Sequence, residues 1–135
     1  MPEGVGYGPQ DTASAGLNLN LIGRRCYGYS GVIVLTAGSS SANITALEFT
    51  TGNYVSKVLV YWSWNERSND DTFYKKVNIN GVTIYLEQSD ATPNRHATPP
   101  IRFVIPPYTK FQVFYGTEKS SDVNATVVLT GKIYK

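Results

Sequence analysis

Two adjacent residues, Asn80 and Gly81, constrain this chain more than any others. Both central residues of a two-residue type I′ hairpin turn need φ > 0, and Asn followed by Gly tolerates that best. On either side, in FYKKVNINGVTIYLE (Phe73 to Glu87), apolar residues alternate with polar ones at period two. A two-residue loop then sets Ile79 opposite Val82, Val77 opposite Ile84 and Lys75 opposite Leu86. Val77, Ile79, Val82, Ile84 and Leu86 are therefore expected to share one buried face, with Asn78, Thr83 and Tyr85 on the wetter side.

The rest of the chain carries the same signature. ITALEFTT (Ile44 to Thr51) reads as a strand with Thr45, Leu47 and Phe49 on one face. YVSKVLVYWSW (Tyr54 to Trp64) is the longest strand candidate, with Val58, Val60, Trp62 and Trp64 on one side and Val55, Leu59 and Tyr61 on the other, a pattern compatible with burial on both faces. Ile101 to Ile105 is a short strand stopped by Pro106-Pro107. Phe111, Val113 and Tyr115 face one way in the next strand, and Ala125, Val127, Leu129 and Ile133 do so in the last, where Gly131 marks a close approach of a neighbour. RCYGYSGVIVLTA (Arg25 to Ala37) reads as one strand interrupted near Gly28 or Gly31. Gln88 to Pro100, with three prolines and no periodicity, is expected to be a long polar connection. About eight strands result, and the expected fold is an all-β antiparallel sandwich of jelly-roll type.

Ahead of this domain, taken as residues 25–135, residues 1–24 read as an extended N-terminal arm rich in Gly and Pro. Within it Leu17, Leu19 and Leu21 alternate with Asn18 and Asn20. That alternation fits an edge strand of the same domain or an arm laid on a partner's sheet.

Composition narrows the functional classes. A net charge of +2, from 12 basic and 10 acidic residues, with no basic run longer than Arg24-Arg25 and Lys75-Lys76, argues against a nucleic-acid partner. The single cysteine, Cys26, rules out an intrachain disulfide framework and reads as a small buried strand residue. The N-terminus has no apolar signal segment, and no apolar run approaches about 18 residues, so synthesis and folding in the cytosol without a membrane partner are expected.

No catalytic set emerges. His96, the one histidine, lies in a Pro/Thr/Asn loop without a nucleophile or orienting carboxylate at a recognisable spacing, and reads as an exposed loop residue. Glu66, Asp70 and Asp71 lack the spacing of a calcium loop and read as a solvated turn. The expectation is a non-enzyme without cofactor or metal. The many aromatic residues suit a core or a subunit interface, where Tyr and Trp combine large area with a polar handle. A second use, stacking on sugar rings, would employ Trp62, Trp64 and Tyr74.

Tyr29-Ser30-Gly31, the stretch Leu47 to Gly52, the hairpin Asn78 to Val82, the stretch Ile105 to Lys110 and the terminal Leu129 to Tyr134 together resemble small β-sandwich structural proteins of tailed phages and related uncultured viruses. The resemblance covers Tyr29 to Tyr134 as turn and strand punctuation, without an active-site signature. It implies a virion protein, a capsid decoration or cement protein bound outside the shell as a homo-oligomer. A trimer would suit local threefold positions, with the major capsid protein as partner. Leu17, Leu19, Leu21, Tyr27 and Tyr29 are the expected interface. The alternative is a carbohydrate- or receptor-binding module at a fibre or tail tip.

Overall fold

The computed structural model describes residues 19–38, 41–64, 72–90, 100–118 and 122–135. They form ten strands: β1 (Asn20–Ile22), β2 (Arg25–Tyr29), β3 (Ile33–Leu35), β4 (Ile44–Thr50), β5 (Val55–Trp64), β6 (Thr72–Ile79), β7 (Val82–Asp90), β8 (Ile101–Ile105), β9 (Lys110–Thr117) and β10 (Val123–Tyr134). One sheet has the order β1-β2-β10-β5-β8, with β3 also pairing β10, and the other has the order β4-β9-β6-β7. The antiparallel pairs nest: β2 and β3 with β10, β4 with β9, β5 with β8, and β6 with β7. A long hairpin wound up in this way is a jelly roll, the fold expected from the strand count.

The seam between β5 and β10 is the most regular part. Ten consecutive residue pairs run without a register break, from Ala125 against Trp64 to Tyr134 against Val55. Alternation along both strands therefore holds: Val58, Val60, Trp62, Trp64, Val127, Leu129 and Ile133 are all buried between the sheets. Burying such side chains contributes about 1.5–3 kcal/mol each. The opposite face of β5 is not covered, since Tyr61 is exposed and Val55 and Leu59 are half-buried, so burial on one face only replaces the two-faced expectation. A Cβ on Gly131 would sit 2.1 Å from the Lys57 carbonyl oxygen, which is why the smallest residue stands there.

β2 and β3 are two halves of one broken strand beside β10, with the break at Ser30 and Gly31. Ser30 repairs the ladder there: its N–H donates to the Val127 carbonyl at 3.0 Å, and its Oγ accepts from the Val127 N–H at 2.8 Å. β1 pairs with β2 through a tight turn, so Asn20–Ile22 is an edge strand of the same domain. Leu19 packs against the core, Leu21 is partly exposed, and Leu17 lies outside the described residues.

The β6–β7 hairpin departs from its expected register. The turn is as expected, with φ of 50° at Asn80 and 82° at Gly81, and Ile79 does oppose Val82. A bulge follows: Asn78 pairs Thr83 but Val77 pairs Tyr85, leaving Ile84 as the extra residue on β7. Every β7 side chain beyond it changes face. Tyr85 turns inward against Trp62 and Phe103, whereas Ile84 is 46% and Leu86 71% exposed, and Val82 at the open turn end is 64% exposed. Of the five residues expected to be buried along this hairpin, Val77 is fully and Ile79 partly covered.

A second bulge, between Thr45 and Leu47 in β4, moves Thr45 to the exposed face while Ala46, Leu47 and Phe49 stay in the core. β7 runs on through Asp90, so strand replaces the expected connection at Gln88 to Asp90.

Candidate functional site

The two tryptophans named for sugar stacking are core residues. Trp62 is fully buried and lies 5.9 Å from Tyr85, ring to ring; Trp64 is 5% exposed and stacks on Phe73 at 4.5 Å. Neither indole faces solvent, because both fall on the inner side of β5. Tyr74 lies half-buried on the outer side of β6, where its hydroxyl donates to Glu118 Oε2. His96, Glu66, Asp70 and Asp71 lie outside the described residues. Cys26 is buried on β2, and burial pushes its thiol up to about 11, which suppresses the reactive thiolate.

Inside the hairpin the bulge assembles a polar cluster. Lys75 is fully buried, and its Nζ lies 3.7 Å from Oε1 of Glu87, its cross-strand neighbour. Tyr85 donates to the same oxygen at 2.5 Å. Burial, then the hydrogen bond to Glu87 and its charge, holds the Tyr85 hydroxyl in its protonated form well above the ordinary phenol range. A carboxylate bound between a lysine and a phenol at a sheet edge can anchor a strand.

Two outer surfaces have the character of contact sites. On the second sheet, β7 is the terminal strand and carries exposed Val82, Ile84 and Leu86. Among the described residues no strand pairs the outer edge of β7, and apolar side chains on such a nine-residue edge strand are unusual in an isolated monomer.

On the first sheet the outward residues form rows across the strands. In one row Ile22 of β1, Arg25 of β2, Lys132 of β10, Lys57 of β5 and Val104 of β8 stand side by side. The next row runs Tyr27, Thr130, Leu59 and Arg102, and the third Tyr29, Val128 and Tyr61. Apart from Val104, the first two rows line a hollow of about 560 Å³ together with Tyr29 and Tyr134. Tyr27 and Tyr29, two of the expected interface residues, lie with ring centroids 5.1 Å apart beside it, and Lys57 Nζ sits 5.2 Å over the Tyr134 ring. Among the described residues no side-chain carboxylate lies on the strands of this sheet: Glu48 is on β4, Glu87 and Asp90 are on β7, and Glu118 and Asp122 lie between β9 and β10. The two described ion pairs, Lys75–Glu87 and Lys110–Glu48, belong to the second sheet. In sequence these cations are dispersed, and only strand register brings them together.

No protein-family model matches the chain. No curated protein matches it either. Among solved structures, it is similar to VP2 of infectious bursal disease virus in the crystal structure of the VP2 subviral particle. The TM-score is 0.50 and the identity 14%, over 98% of this chain and 37% of that one. It also matches dimeric latent PorU from Porphyromonas gingivalis at a TM-score of 0.42 and 14% identity, over 91% of this chain and 14% of that one. The chain thus spans well under half the length of either protein. At this identity the likeness to VP2 concerns the fold, an all-β sandwich.

Proposed function

We propose that this chain is a structural protein of a virus particle, and within that class a capsid decoration or cement protein. It acts by binding, without turnover, and is located in the virion. Its partners are further copies of itself, with a trimer the arrangement that suits local threefold positions, and the major capsid protein. The observation that carries this reading is the fold likeness to VP2 of a subviral particle, which runs through nearly the whole chain. The phage-like turn and strand pattern from Tyr29 to Tyr134 supports it independently.

The exposed apolar side chains of β7 supply the assembly surface in this proposal, Val82 at the turn end and Ile84 and Leu86 at and beyond the bulge. Leu19 is already used by the core, whereas Val82, Ile84 and Leu86 are free to meet a second copy. Edge pairing between copies would satisfy the backbone groups of β7 and remove those side chains from water. The direct test is mass spectrometry of purified virus particles. The proposal expects the chain at a fixed copy ratio to the major capsid protein; its absence from particles would overturn it.

A further inference from the structure

We infer that the outer face of β2, β10, β5 and β8 binds a short acidic oligosaccharide. Arg25, Lys132, Lys57 and Arg102 would meet its carboxylate or sulfate groups, and Tyr29 would lie against a sugar ring.

The argument starts from a cost. Lys132 stands directly between Arg25 and Lys57 in the ladder, and like charges directly opposite one another on a sheet are destabilising. The core does not require cations there, because all three point outward while the alternate residues build it. Arg102 adds a fourth positive charge one row away on β8, and no described carboxylate offsets any of them. An anion spanning this row converts the repulsion into charge-assisted hydrogen bonds, with the guanidinium forks of Arg25 and Arg102 suited to carboxylate or sulfate.

Size and surroundings select among anions. The hollow of about 560 Å³ lies within the range of small-ligand sites, roughly 300–1,000 Å³. From Arg25 to Lys57 the row crosses two strand spacings, about 10 Å in all. Tyr29, 54% exposed, offers a ring face beside it, and the Thr130 hydroxyl lies between Tyr27 and Leu59. A single-stranded nucleic acid would instead need a basic track following about four or more nucleotides. Here the cations stop after a few strands, and the whole chain carries a net charge of only +2. The site lies on the first sheet, away from β7 on the second, and its test does not depend on the particle role.

Isothermal titration and NMR shift mapping on the full chain would use four probes: a heparin-derived tetrasaccharide, an oligogalacturonate, neutral maltotetraose and a short oligothymidylate. At least one acidic sugar is expected to bind about tenfold or more tighter than maltotetraose, with shifts centred on Lys132 and Thr130. Lys132→Glu should weaken that binding about tenfold or more, and Tyr29→Ala several-fold, about threefold. A cooperative melt of Lys132→Glu shows that the variant tested for binding is folded, and Lys132→Gln should melt above the wild type. Oligothymidylate binding as tightly as the acidic sugars, no acidic sugar binding better than maltotetraose, or full binding by a folded Lys132→Glu protein would each overturn the inference.

Discussion

The β5–β10 seam and the β6–β7 hairpin are both built from sequence that alternates at period two, yet they use it in opposite ways. Along the seam ten residue pairs follow one another without interruption, and every inward position except the half-buried Gly131 is buried. Along the hairpin one extra residue, Ile84, puts Tyr85 and Glu87 inward and leaves Leu86 outside. Alternation is a statement about neighbours within a strand. It becomes a statement about burial only where the pairing keeps step. Where pairing slips, apolar side chains are left at the surface.

The contrast can be broken most severely at Gly131. Changing it to Ala drives a methyl group against the Lys57 carbonyl oxygen and Val58 Cα, and β10 must part from β5 to admit it. The expected loss is about 4 kcal/mol, at the exceptional end for one substitution, or failure to fold; urea denaturation reads it. Leu129→Ala, fully buried on the same strand, should cost about 2–5 kcal/mol by the same measurement. On the hairpin, Gly81→Val forces a β-branched residue to φ near 82° and should cost about 1–3 kcal/mol. Leu86→Ser should cost under about 0.5 kcal/mol in a monomer, whereas a buried Leu86 would make it one of the most damaging changes.

Alkaline pH sharpens the comparison from another side. Burial raises the Cys26 thiol from 9.0 to about 11, and raises the Tyr115 and Tyr85 hydroxyls as well. In the range between the unfolded and folded values the native state holds more protons than the unfolded chain. Stability is therefore full below about pH 9 and falls as pH rises through 9 to 11. Thermal melts across that range should show the fall, and Cys26→Ala should remove the part of it that begins near pH 9.

How much was legible follows from the same physics. Tyr54 to Trp64 and Asn124 to Tyr134 are long enough for alternation to declare their inner faces, and Asn80 with Gly81 declares its turn. The bulges at Ala46 and Ile84 leave no mark in a single sequence, since an extra residue is visible only against the partner strand. Trp62 and Trp64 were placed correctly on one side of β5, but which side meets the other sheet depends on the winding of the whole chain. The cationic row was hidden for a related reason: Arg25, Lys57 and Lys132 are tens of residues apart, and pairing alone brings them side by side.

In the proposed assembly, the slipped hairpin supplies the surface through which copies meet. Light scattering of the wild-type chain and of Leu86→Arg, each with its melting temperature, tests it most directly. The expected result is a wild-type mass that is a multiple of the monomer, and a Leu86→Arg protein that is monomeric yet melts at least as high as any wild-type monomer populated on dilution. A monomeric wild type at high concentration, or a Leu86→Arg protein of unchanged mass, would contradict it.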